Sequence, residues 1–339
     1  MRDYYNLADN ISKIFGINMG LKLKIFDTIE QLGDRNSVKD ILMSLNFKTN
    51  IRHLIDFLDQ LYVHNLLERE GILENSRYRN SEYTKKYLLK TSMTHYNYVF
   101  LNLDRYLKKY QLFEKNFPAG KTILFSDDMY ANEEDMKAYM EYFYKSNQFN
   151  FDYLTETIDF SKYKRICDIH GLTGVLAMKL KKKFPNCDII SFDNKKIKEC
   201  AETKVLGHDM GEMVKREYGD LYRDKIPEVD CVVAPHILMH YSWENKKNIL
   251  KRIFDGLSNQ GDLIIQENLV DENRSKDDCG MKISSMFAML GYEGFALSFN
   301  EFKDLLSSAG FTDIQKIDRK PGVSDIIIAR KNFESEKAL

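Results

Sequence analysis

The chain has 339 residues, 43% hydrophobic and 30% charged side chains and a formal net charge of −1, the balance of a soluble globular protein large enough for two domains. That balance argues for no nucleic-acid or membrane partner, no apolar run approaches the roughly 20 residues of a membrane span, and Met1–Tyr5 lacks the apolar core of a signal peptide. The five cysteines are odd in number and scattered, which suits reduced thiols in a cytoplasmic protein and matches no metal-ligand spacing.

Residues 1–95 read as a winged-helix-like domain. Leu21, Ile25, Ile29 and Leu32 share one helical face, and Ser37 caps a second helix. A third helix, from Asn50 to Leu67, carries Ile51, Leu54, Ile55, Leu58, Leu61 and Tyr62 at helical spacing. Glu70–Leu73 and Arg77–Asn80 read as the two strands of a wing. A DNA reader carries a basic face, yet residues 1–90 hold 14 Lys/Arg against 12 Asp/Glu, and the third helix includes Asp56 and Asp59. The pattern therefore points to dimerisation or packing rather than to DNA.

Residues 96–158 form a helical, aromatic connector, with Tyr98, Phe100, Leu103, Tyr106, Leu107 and Tyr110 in succession and a well-patterned helix that starts at Glu133 and runs past Ser146. The aromatic residues between Tyr78 and Phe151 suit either an apolar pocket or a helical core. From residue 159 to 332 strands and helices alternate. Strands are expected at 165–169, 188–193, 229–234, 262–267 and 325–329, with helices at 174–183, 195–203, 245–257 and 299–309. Alternation with short connections implies a doubly wound, mostly parallel sheet covered by helices, an α/β architecture.

In such sheets ligands sit beyond the carboxyl ends of the strands. Here Asp168 ends the first strand and is followed by a tight turn containing Gly171 and Gly174. Asp193 ends the second strand, 25 positions later, near the spacing of a carboxylate that accepts ribose hydroxyls. It serves equally well as a helix cap. His236 and His240 follow the strand that ends at Ala234, and Glu267 ends the next one.

The order of these features resembles the class I S-adenosylmethionine-dependent O-methyltransferases of the caffeic acid/acetylserotonin type, small-molecule enzymes of secondary metabolism. The resemblance rests on the N-terminal pattern, Gly219-Asp220-Leu221-Tyr222-Arg223-Asp224-Lys225-Ile226-Pro227, Ile237-Leu238-Met239-His240, Gly261–Glu267 and Glu301–Phe311. It implies a Rossmann-like methyltransferase fold, a homodimer formed through the N-terminal domain, and S-adenosylmethionine as cofactor. By the same resemblance, Ser146, Asp168, Gly171 and Gly174 surround the methionine end, Asp193 holds the ribose, Asp220 and Leu221 address the adenine, and His236 closes over its ring. His240 takes the place of the general base, and Glu267 that of one of two acids that orient it. Met286, Phe287, Met289 and Leu290 shape the pocket of a small aromatic or polyketide-like acceptor, although the same pattern also suits a plain core helix.

The chain also departs from the family. His170 and Leu172 stand where glycines are expected, His236 replaces a basic residue, and Ala296 occupies the place of the second orienting acid, with Glu293 out of register. Tyr241 and Ser242 follow the base in place of Asp and Trp. Two readings therefore stay open: an O-methyltransferase using His240, or a relative with an altered cofactor site that performs another reaction or serves as a non-catalytic partner subunit.

Overall fold

The computed structural model describes residues 2–92, 97–202, 214–276 and 278–332, and the chain divides into two compact units, Met1–Lys108 and Lys109–Leu339.

The first unit contains α1 (Arg2–Lys22), α2 (Ile25–Leu32), α3 (Val38–Ser44), α4 (Ile51–Val63), β1 (Leu67–Glu70), β2 (Arg77–Asn80), α5 (Glu82–Tyr87) and α6 (Asn97–Leu101). Lys24 adopts a left-handed conformation (φ 58°), so the apolar face expected over Leu21–Leu32 is divided between two helices. The side chains of Ser37 and Asn50 accept from Asp40 N–H and Arg52 N–H and start α3 and α4. Ile25, Ile29, Ile41, Leu54, Ile55, Leu58, Leu61 and Tyr78 form the core. β1 and β2 pair antiparallel from Leu67↔Asn80 to Glu70↔Arg77. The strand expected at Glu70–Leu73 thus lies three residues earlier, because Gly71 turns the chain at φ 79°.

Beyond them follow α7 (Leu103–Asn116), α8 (Phe125–Met129), α9 (Glu133–Ser146) and α10 (Gln148–Thr157). α9 stops at Ser146, where Asn147 takes the C-cap, rather than running past it. The side chain of Tyr98 and the last residue of the helix expected at 195–203 lie outside the described residues. Next come β3 (Arg165–Ile169), α11 (Val175–Lys183), β4 (Asp188–Asp193), α12 (Lys198–Glu202), β5 (Lys215–Tyr218), β6 (Val229–Pro235) and α13 (Trp243–Gly256). The unit ends with β7 (Leu257–Glu267), α14 (Cys279–Leu290), α15 (Phe299–Ser308), β8 (Thr312–Ile317) and β9 (Asp325–Arg330).

Seven strands form one sheet in the order β5-β4-β3-β6-β7-β9-β8, with β3 to β7 parallel and β9 and β8 antiparallel at one side. The chain winds outward from β3 to β5, then returns past β3 to β6. That reversal opens a crevice at the carboxyl ends of β3 and β6, the place such sheets reserve for ligands. Ile249, Leu250 and Ile253 of α13 and Phe302, Leu305 and Leu306 of α15 share a core with Val232, Ala234, Leu263, Ile265 and Ile327 of the sheet. β5 (Lys-Arg-Glu-Tyr) and β8 are edge strands with mostly exposed or half-exposed side chains, which is why neither shows an apolar strand pattern. No helix among the described residues is long and apolar enough to cross a membrane.

Candidate functional site

The turn after β3 keeps a glycine-like backbone without the glycines. His170 (φ 65°) and Leu172 (φ 47°) both lie in the left-handed region, as does Gly174 (φ 73°). Gly171 is required for a different reason: a Cβ there would lie 2.2 Å from Ser191 Oγ and 3.1 Å from Asp168 Oδ2. Neighbouring strands hold the turn in place. Leu172 N–H donates to Asp193 Oδ2 (2.5 Å), and the Arg216 guanidinium of β5 donates to the carbonyls of Leu172 (3.1 Å) and Thr173 (3.2 Å). Asp193 Oδ1 accepts from Asn194 N–H at 2.7 Å. Burial pushes the Asp193 carboxyl up to about 6. Asp168 is fully buried beneath the turn; burial, then the nearby Asp193 charge, raises its pKa well above the usual carboxylate range against the opposing pull of the Ala177 N–H.

On the other side of the crevice, His236 also takes a left-handed conformation (φ 51°), and Leu238–His240 forms a single 3-10 turn. Glu267 Oε1 accepts from Leu238 N–H (2.9 Å) and Met239 N–H (3.3 Å). The expected contact of this acid with the ring of His240 is not made: both imidazole nitrogens are buried without a close hydrogen-bond partner, and only the His236 backbone interacts with the ring edge. The backbone donors at the start of the turn take the carboxylate instead. Burial pushes Glu267 up to about 8. Phe125 of α8 lies on the His240 ring, with centroids 4.1 Å apart and planes at 16°, and Phe287 of α14 follows at 5.4 Å. Burial above all, then the positive charge that His170 and His236 would carry, lowers the His240 pKa well below its ordinary value, so the imidazole is neutral at pH 7. His170 lies 5.9 Å from His240 between ring centroids, with Nε2 3.5 Å from the Tyr139 hydroxyl, and burial lowers it to about 3.

Between these two turns runs a narrow cleft, with about 30 Å³ of space for a water-sized sphere. Asp193, Gly219 and Asp220 line its polar part, Leu221, Ile237 and Tyr241 its apolar wall, and His170, His240 and Phe125 its aromatic end. A Cβ on Gly219 would lie 2.4 Å from the Phe192 ring, so this backbone approaches β4 as only glycine allows. Of the residues singled out in the sequence, Asp193, Asp220, Leu221 and His240 meet in the cleft. Asp168, Gly171 and Gly174 shape the turn beneath it and do not line it. Ser146 is not among its lining residues either; its hydroxyl donates to the Phe143 carbonyl at 3.4 Å. His236 is buried and does not line the cleft, and Ile237, the next residue, does. From α14, Phe287 reaches His240, Met286 is half-buried, and Met289 and Leu290 line a wider groove with Leu112, Phe113 and Phe117. Phe125 and Tyr139 carry no individual signal in the sequence beyond the aromatic richness of the connector, and Tyr241 stands out there only as a departure from the family. Among the described residues no cluster of His, Cys, Asp and Glu could hold a metal ion.

A family model described as the O-methyltransferase domain matches residues 102–312. Among curated relatives, the acetylserotonin O-methyltransferase of Gallus gallus is 27% identical over 328 residues, covering 91% of each chain. The tetracenomycin polyketide synthesis 8-O-methyl transferase of Streptomyces glaucescens is 24% identical over 268 residues, covering 77% of each. Among solved structures, human N-acetylserotonin methyltransferase in complex with SAM superposes with a TM-score of 0.84 at 23% identity, over 98% of this chain and 96% of that one.

Proposed function

Since the chain belongs to the O-methyltransferase domain family, we propose that it transfers a methyl group from S-adenosylmethionine to a hydroxyl of a small aromatic or polyketide-like molecule, with His240 as general base. One observation carries the reading: a neutral imidazole with no carboxylate on its ring lines the same cleft as aromatic side chains and the two carboxylates Asp193 and Asp220. The residues present fit the adenosine half of that cofactor. Asp193, buried and raised to about 6, gains from hydroxyl donors because each of its oxygens has a lone pair left after binding Leu172 and Asn194. Leu221, Ile237 and Tyr241 offer an apolar slot for a planar base beside Asp220.

When bound, the cofactor supplies an electrophilic methyl group on a sulfonium. The protein's part is to hold the acceptor oxygen in line, where positioning contributes most of the gain, and to take its proton. His240 is unprotonated at neutral pH, and Phe125 covers a face of its ring rather than the edge that carries the nitrogens. We place the protein in the cytoplasm as a homodimer joined through the N-terminal unit, whose Ile11, Ile14, Phe15, Met43 and Val63 are exposed.

The test is a screen of phenolic and polyketide hydroxyls for methyl transfer, followed by His240→Ala. Turnover should fall by about 100- to 10,000-fold, the usual contribution of a positioned proton acceptor, while affinity for S-adenosylhomocysteine holds. Near-normal turnover in the variant removes His240 from the role. A second reading, a partner subunit with a closed cofactor site, is favoured by one observation: the His170 side chain lies in the cleft where glycine would leave space. Absence of any S-adenosylhomocysteine binding by the native protein decides for it.

A further inference from the structure

We propose that Lys246 is a positioning residue for His240, fastening the end of the base turn to the segment that leads from α14 to α15. The inference rests on the reading of His240 as base. Lys246 projects from the first turns of α13 and is fully buried. Its ammonium donates to the Tyr241 carbonyl, the peptide next after His240, and to the Phe295 carbonyl at 3.0 Å, and it sits 3.7 Å from the centroid of the Phe295 ring. No carboxylate among the described residues bonds it directly. A buried ammonium is costly to hold unless its donors are satisfied, and here two main-chain carbonyls and a ring face satisfy them.

The rest of the base turn is held in the same manner, through main-chain atoms. Glu267 accepts from the N–H groups that open it. Glu293, read from the sequence as an acid out of register, accepts from Ser242 N–H (3.0 Å) and the Asn245 amide (2.7 Å) just beyond it. Gly294 lies so close that a Cβ would come within 2.3 Å of the Met239 carbonyl oxygen and 2.5 Å of the His240 carbonyl carbon. An accepting carboxyl oxygen at the N–H end and a donating ammonium at the carbonyl end match the polarity of the single turn between them. The imidazole is thereby aimed with no carboxylate on either nitrogen, its one polar neighbour along the ring edge being the His236 backbone. Lys246 is the member of this set that touches both the base turn and the Phe295 segment, so a shift of one is passed to the other.

The charges facing Lys246 are Glu267 from β7, Glu293 from the connecting segment and Glu301 from α15, each raising its pKa against burial, which brings it down to about 8. His240 in turn feels the Lys246 charge. The experiment uses the full-length protein labelled with ¹⁵N-histidine, complexed with S-adenosylhomocysteine. In the native protein the His240 ring resonances should change with a midpoint near pH 8, as the ammonium is lost. Lys246→Met should move those resonances and abolish the midpoint, leave S-adenosylhomocysteine affinity unaltered, and, on any acceptor found, lower kcat by about 100-fold, the effect of misplacing a reacting group by an ångström. Lys246→Arg, which keeps its charge at all these pH values, should restore the native resonances without the midpoint, and it carries the test if the methionine variant does not fold. His240 resonances unchanged in Lys246→Met, or a midpoint that survives in either variant and so belongs to Glu267, overturn the proposal. Loss of turnover in His240→Ala is read separately, so a wrong base and a wrong clamp give different results.

Discussion

His170 and Leu172 keep a left-handed backbone that glycine adopts freely and other residues adopt at a cost of about 1–3 kcal/mol each. The turn persists because the surrounding contacts specify it. Asp193 holds Leu172 N–H, Arg216 holds two carbonyls, and the Leu172 side chain is fully buried. The two departures are unequal in consequence. Leu172 does not line the cleft, whereas the His170 ring does and meets Tyr139 and His240 there. His170→Gly removes the intruding ring and the backbone strain together. It should strengthen S-adenosylhomocysteine binding on the order of tenfold, the equivalent of about 1.4 kcal/mol, by titration calorimetry. An unchanged affinity would show that the ring lies outside the volume the ligand needs.

At the scale of elements, the site is the meeting of a turn and two helices that carry no motif joining them. The 3-10 turn Leu238–His240, the short α8 that brings Phe125, and α14 that brings Phe287 converge on one imidazole. The connecting segment after α14 decides how close they come. Gly294→Ala would place its new methyl group against main-chain atoms of Met239 and His240, which cannot swing aside as a flexible side chain does. Overpacking of this kind costs about 1–3 kcal/mol in stability. On the proposed reading, the displacement of His240 should lower kcat by about 100-fold, while S-adenosylhomocysteine affinity, assigned there to Asp193 and Asp220, stays near native. Chemical denaturation and steady-state kinetics on one preparation separate the two effects; native kcat in a destabilised variant would mean the base tolerates the shift.

For the whole molecule, the exposed apolar residues of the first unit, Ile11, Ile14, Phe15, Met43 and Val63, set the expectation for assembly. Sedimentation equilibrium at micromolar concentration should give twice 39.9 kDa. Phe15→Glu with Ile14→Glu should shift the mass toward one chain, and a native monomer would reject the dimer.

By itself the sequence determined the α/β class, the strands β3, β4, β6 and β9, and the cap of α3, because apolar periodicity and capping are local properties. It also marked Asp193 and His240 at or just beyond a strand end, where a doubly wound sheet delivers its ligand contacts, and Asp220 and Leu221 through the family resemblance. Edge strands β5 and β8 stayed hidden, since a strand with mostly exposed or half-exposed side chains carries no apolar alternation. Only the tertiary structure decided how the acids act. Glu267 and Glu293 end on backbone N–H groups and not on the imidazole, because an unpaired N–H buried in the turn claims a carboxylate within reach. Only it placed Phe125 on the His240 ring, 115 residues away in the chain, and Lys246 between two carbonyls. Such contacts depend on which segments the folded sheet brings together, and no spacing along the chain records them.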